Sequence, residues 1–313
     1  MADRPTISVI IPTRDRPLFL TEALRSVLAQ HLRPDQVIVV DDGGAGEARR
    51  IADLVGASDS VATAVVEGPG RGPGAARNAG LRAAKGELVA FLDDDDLWHP
   101  GKLARQTRWF AARPSLGVLG TGCMAWGVAR RTGLPQGSGM NLMPGSALDR
   151  MRSISLAAMV RANRLVMSSV MARRERLEEC GWFDESLPLA QDWDLWLRLA
   201  QRTEVAMLAE PLVYYRRHGD QRSAAVMAMR SWEGEVLRRT LARGLPPRLH
   251  GVARRRLAWS HVRLGRLLAR AGETELAREE LGEAMALWRC NPAAWVGVMR
   301  CALDRRTLAR ART

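Results

Sequence analysis

The sequence predicts an α/β fold: a mostly parallel sheet flanked by helices, followed by an all-helical C-terminal extension. Three observations carry this reading. Short β-branched runs alternate with segments of helical periodicity over the first hundred residues, as in strands joined by crossover helices. Two of those runs end in acids, "VIVVDD" and "VAFLDDDD", and parallel sheets gather ligands outside the carboxyl ends of their strands. Beyond about residue 225 the β signal stops, and Leu, Ala and Arg recur at helical spacing.

Taken in order, "ISVIIP" (7–12) reads as a fully buried strand, and "PLFLTEALRSVLAQ" (17–30) as a helix that Pro17 opens. "QVIVV" (36–40) is the second strand, followed by a helix near 46–55 and a strand at 61–66. "GPGRGPG" (68–74) is a loop, since neither helix nor strand tolerates that density of Gly and Pro. "AARNAGLRAAK" (75–85) is a helix stopped by Gly86, and "ELVAFL" (87–92) is the next strand. Residues 115–165 read as strand and loop at one edge of the site, and "RLVMSSVMAR" (164–173) as a strand. "RERLEECG" is a short helix, "AQDWDLWLRLAQR" (190–202) an amphipathic one, and "EVAMLAEPLVYYRRH" (204–218) one or two strands. A helical hairpin over 261–295 turns at Ala271-Gly272. Its Gly265, Ala277, Leu281 and Ala284 resemble one tetratricopeptide-like unit.

With 313 residues, 47% of them hydrophobic, the chain suits one large domain and an appendage, divided as 1–224 and 225–313. Four cysteines (Cys123, Cys180, Cys290, Cys301) show no zinc-ligand spacing and fit a reducing compartment. Neither a basic-apolar leader nor a membrane-length apolar run is visible. The expected location is therefore cytoplasmic, with peripheral contact at the inner face of the membrane as one reading of the basic tail. The net charge of +13 is almost wholly arginine, Lys85 and Lys102 being the two lysines, and it needs no nucleic-acid partner to explain it. Residues 235–313 hold 17 Arg against 7 acids, which suits either an anionic membrane surface or a solvated helical face.

Four adjacent carboxylates, Asp93 to Asp96, repel one another and need positive charge. Capping of the following helix "PGKLARQTRWF" by Asp96 uses one acid, not four. A hard divalent cation, Mg²⁺ or Mn²⁺, takes such oxygens together with substrate phosphates and water. Asp41-Asp42 before Gly43 reads as a turn or as an acceptor for a nucleobase N–H or a ribose.

"SVIIPTRDRP", "VIVVDDGG", "GPGAARNAGLRAAKGELVAFLDDDD" and "QDWDLWLRLA", in this order and at these spacings, resemble family 2 glycosyltransferases of the GT-A fold over about residues 6–220. The resemblance implies a nucleotide-sugar-binding sheet and an inverting, metal-assisted transfer to a carbohydrate or lipid-linked acceptor. It places Pro12 and Thr13 at the nucleotide edge, Asp42 on the base, Asp41 in support of that pocket, and Asp93 near the ribose. Asp94 and Asp95 fall at the metal, Asp95 as its direct ligand, and Asp192 falls at the general base. Arg71 and Arg77 flank the glycine-rich loop, within reach of the base or diphosphate. His218 sits where similar enzymes place a His or Arg near the diphosphate and metal. A UDP-sugar is the expected donor, with dTDP and GDP open. Two positions depart from the family pattern, Gln191 in place of Glu and Gly44 in place of Ser or Asn. Two rival readings are a sugar nucleotidyltransferase, which needs no acceptor-side base, and a binding module that works through its helical tail.

Overall fold

The computed structural model describes residues 4–44, 46–56, 61–126, 150–216, 223–289, 292–293 and 295–296. Two compact units emerge, one of residues 1–156 and 163–219, the other of 157–162 and 220–313.

The first unit begins with β1 (Ile7–Thr13), α1 (Pro17–Leu28), β2 (Gln36–Asp41), α2 (Glu47–Gly56), β3 (Ala62–Glu67), α3 (Pro73–Ala83) and β4 (Leu88–Phe91). β1 pairs in parallel with both β2 and β4, and β2 in parallel with β3. The register sets Thr13 beside Asp41 and Asp41 beside Glu67, so the acidic ends of neighbouring strands lie level. Every residue of β4 and nearly all of β1 is buried, as expected of strands covered on both faces. Helix α3 lies close on this half-sheet. A Cβ on Gly80 would meet Ile10 Cγ2 at 2.5 Å and Val40 Cγ2 at 3.2 Å, so only glycine permits the approach.

The second half of the sheet is mixed. It contains β5 (Leu97–Trp98), β6 (Leu116–Trp126), β7 (Met151–Ser153), β8 (Met171–Arg173) and β9 (Glu204–Arg216), with α4 (Lys102–Ala112), α6 (Arg174–Glu179) and α7 (Gln191–Leu199) in the connections. The strand order is β3-β2-β1-β4-β8-β6-β9-β5, with β7 also on β9. The long β9 continues through Pro211, at the point where its register with β6 shifts. Proline has no N–H for the ladder and is tolerated at such an irregularity.

The strand read over 164–173 is shorter than expected. Met167–Ser169 form a 3₁₀ turn, and only Met171–Arg173 pair as a strand. The serines explain this, because Ser169 N and Ser169 Oγ both donate to Val166 O at 2.9 and 2.7 Å.

The second unit holds α5 residues after Leu156 (the helix is Leu156–Arg161), α8 (Ser223–Arg243), α9 (Pro247–Arg270) and α10 (Thr274–Leu287). The α9–α10 hairpin reverses at Ala271-Gly272, as read. Ala258, Val262, Ala277, Leu281 and Ala284 form its buried seam.

Candidate active site

The carboxyl ends of β1, β2 and β4 open into a cleft of about 370 Å³. Pro12, Thr13, Arg14, Arg16, Asp42, Arg77, Asp93, Asp94 and Asp95 line it, with Gly72, Pro73 and Ala76. The sheet register thus brings Pro12, Thr13, Asp42, Arg77 and three of the four adjacent acids to one place.

Arginines hold the acids. Arg77 Nη2 donates to Asp93 Oδ1 at 2.5 Å. Arg16 Nη1 lies 3.2 Å from Asp94 Oδ1 and 3.3 Å from Asp95 Oδ2. The other Asp94 oxygen accepts from Thr13 Oγ1 at 2.8 Å. Burial pushes the Asp94 carboxyl above its ordinary value, and Thr13 and Arg16 oppose that shift. Asp96 does not cap the next helix. It is buried, accepting from Ser168 Oγ at 2.6 Å and from Arg216 N at 2.9 Å, and burial pushes its carboxyl up to about 7. Ser168 Oγ also accepts from Asp93 N at 3.1 Å, so one hydroxyl ties the buried acid to the backbone of the cleft.

Asp42 Oδ1 accepts from Gly70 N at 2.7 Å. The glycine-rich loop presses on Asp42 so closely that a Cβ on Gly68 would sit 2.8 Å from Asp42 Cα. Asp41 lies beside the cleft, its Oδ1 accepting from Gly43 N and Gly44 N at 3.1 Å each, in the manner of a turn-forming Asp. Arg71 is not among the lining residues and pairs with Glu185 at 2.9 Å. Arg77 is 6% exposed, and its Nε and Nη1 are buried without a hydrogen-bond partner. Left unpaired, such atoms carry a desolvation cost, and the guanidinium lies 5.8 Å over the Phe183 ring. His218 lies outside the described residues.

Asp192 stands in the first turn of α7, behind Ala190, whose φ of +58° is rare for a side-chain-bearing residue. Its Oδ2 accepts from Asn163 Nδ2 at 2.7 Å. Burial raises the Asp192 carboxyl. The Trp193 N–H, Asn163 and the charge of Arg77 pull it down, and Asp93 pushes it up. Asp192 is thus within electrostatic reach of the cleft. Trp193, Trp196 and Trp98 are core residues, each 3% exposed or less.

Sequence reasoning missed Arg16, Asn163, Ser168 and Glu185. Arg16 had a signal, standing three residues after Thr13 in "PTRDRP". Asn163 and Ser168 had none, because each acts across the fold. Among the described residues no three acids, His or Cys converge as a complete metal cluster.

Three comparisons bear on this site. The family model described as glycosyl transferase family 2 matches residues 8–173, more than half of the chain. The O-antigen biosynthesis protein RfbC of Myxococcus xanthus is 32% identical over 234 residues, which are 72% of this chain and 17% of that protein. The chain matches about a third of the length of the uncharacterized glycosyltransferases of Nostoc sp. (37% identical over 113 residues) and Rickettsia felis (27% identical over 224 residues). Among solved structures, S. aureus TarS 1-349 superposes with TM-score 0.66 at 19% identity, covering 90% of this chain and 80% of that one. The mannosyltransferase PcManGT of Pyrobaculum calidifontis, solved with GDP-Man and Mn²⁺, gives 0.60 at 22% identity, covering 100% and 84%. These two likenesses speak for the fold, a sheet of the GT-A type. The matched span runs from β1 through every cleft-lining residue to β8, and on that match the chain belongs to glycosyl transferase family 2.

Proposed function

We propose that this chain transfers a sugar from a nucleoside-diphosphate donor, a UDP-sugar by preference, to an acceptor hydroxyl with inversion, using Mg²⁺ or Mn²⁺, in surface polysaccharide or glycoconjugate synthesis. One observation carries the reading: Pro12, Thr13 and four carboxylates (Asp42, Asp93, Asp94 and Asp95) line a single cleft together with Arg16 and Arg77. The relative in O-antigen biosynthesis supports the pathway class, and TarS solved with UDP and with UDP-GlcNAc supports the donor class.

The residues fit a divalent cation. Asp94 and Asp95 share one cationic partner already. Two carboxylates completed by phosphate oxygens and water are a set that Mg²⁺ accepts. Asp95 and Asp94 would hold the ion, and the ion would neutralise charge on the departing diphosphate. Asp42 takes the nucleobase N–H, with Asp41 shaping the turn behind it. Arg77 adds positive charge to the donor cleft, while its Nη2 orients Asp93 by the ribose. Asp192, positioned by Asn163, removes the acceptor's proton as that oxygen attacks the anomeric carbon. We assign this chemistry to residues 1–224, and to residues 225–313 a peripheral contact with anionic membrane.

Asp192→Asn keeps the shape of the side chain but cannot take a proton. Turnover should fall by about 10²–10⁴ with donor affinity unchanged. Loss of donor affinity at unchanged turnover would instead place Asp192 in the nucleotide pocket, and a product of retained configuration would exclude single displacement.

A further inference from the structure

We propose that Arg16 is a resident counter-cation: it occupies the carboxylate pair that the divalent ion needs and releases that pair only when a nucleoside diphosphate enters. This rests on the metal-assisted reading above. A single atom, Arg16 Nη1, bridges Asp94 Oδ1 and Asp95 Oδ2. Asp94 Oδ2 is already committed to the Thr13 hydroxyl, so Oδ1 is the oxygen that Asp94 can give a metal, and Arg16 holds it. The two partners differ in freedom: the Arg16 side chain is 50% exposed and Asp94 only 7%, so the arginine is the one able to leave.

The frame that aims Arg16 is closely packed. Asp15, just before it, has φ of +53°, a left-handed conformation that Asp tolerates better than most residues. A Cβ on Gly43 would strike the Asp15 side chain, so this turn is packed against the one after β2. Arg16 itself precedes the first residue of α1, and the helix anchors its backbone.

A divalent cation held by those carboxylates would compete with the guanidinium for the same two oxygens, since both are positive. Moving Arg16 away leaves its charge without a partner unless another anion is present. A diphosphate supplies that anion. The same cleft holds a second guanidinium, Arg77, beside Asp93, which adds positive charge to draw an anion in. Metal and donor therefore load together, and each binds weakly alone. Coupling of this kind is reciprocal.

The test titrates the full chain with Mn²⁺ alone, reading free ion by electron paramagnetic resonance, and repeats it with UDP and with GDP. Arg16→Met and Arg16→Gln remove the charge, Arg16→Lys retains it, and circular dichroism checks each fold. The neutral variants should bind Mn²⁺ alone about tenfold or more tightly than wild type. They should also lose most of the tightening that the diphosphate produces in wild type, while Arg16→Lys stays near wild type. Neutral variants that bind Mn²⁺ alone no more tightly than a wild type that does bind it would overturn the counter-cation role and leave the metal reading standing. No Mn²⁺ binding by wild type or neutral variants, with either nucleotide or none, would overturn both.

Discussion

At Asp192, burial raises the carboxyl above its ordinary value of 3.8. If Asp192 is the base proposed above it must be ionised, so turnover should fail as pH drops through that raised value, and the acid limb of kcat/KM should lie above the usual carboxylate range. Asn163 stabilises the ionised form through its 2.7 Å hydrogen bond. Asn163→Ala should therefore move the limb to still higher pH; an unmoved limb would show that another group sets it. Lys102 gives a second pH signature. Its Nζ is wholly buried, 2.8 Å from Gln106 Oε1 and 3.9 Å above the Trp98 ring, and burial lowers it from 10.5 to about 7. Between those values the unfolded chain holds a proton that the folded chain lacks. Stability therefore falls as pH drops from about 10.5 to about 7, then levels off. Lys102→Met removes this dependence, so it should favour folding more at pH 7 than at pH 10.5 in urea titrations. Equal effects at both would mean that Lys102 keeps an ordinary pKa.

The behaviour of α3 turns on one residue. Gly80→Ala gains about 1 kcal/mol of helix propensity. The added carbon, however, lands 2.5 Å from Cγ2 of the fully buried Ile10, and overpacking there costs about 1–3 kcal/mol. Overpacking should win, lowering the urea midpoint at unchanged slope. A raised midpoint would show that α3 slides at little cost. The strand read over 164–173 shows the limit of local pattern. Leu165, Val166 and Met167 have strand-like character, but Ser168 and Ser169 turn their hydrogen bonds inward. The resulting turn carries the hydroxyl that joins Asp96 to Asp93 N.

Across the whole chain the charge is uneven, with 17 arginines against 7 acids in residues 235–313. One of these charges is offset from outside that range, where Arg256 pairs with Glu233 at 3.1 Å. No described helix is long and apolar enough to cross a membrane. Contact with lipid should then depend on charge, strong on anionic vesicles at low salt and falling steeply towards 1 M, where the screening length is about 3 Å. Equal binding to neutral and anionic vesicles, or none to either, would leave the helices as packing elements.

The sequence by itself determined the alternation of strands and helices, the acidic strand ends and the switch to helix near residue 225. Each of these is a local property, a period of two or about 3.6 or a breaker at an element's end. Identifying Asp42, Asp93, Asp94 and Asp95 as site candidates needed only their place after a buried strand. The tertiary structure alone decided how those charges are partnered. Arg16 reaches Asp94 across 78 positions, and Arg216 N reaches Asp96 across 120. Asn163 meets Asp192 across 29, from a segment with no motif of its own. No periodicity encodes such pairs, because they follow from which strand lies beside which and how deeply each side chain is buried. That burial separates Asp96, sealed against Ser168, from Asp95, open to the cleft, although the two are neighbours in the chain.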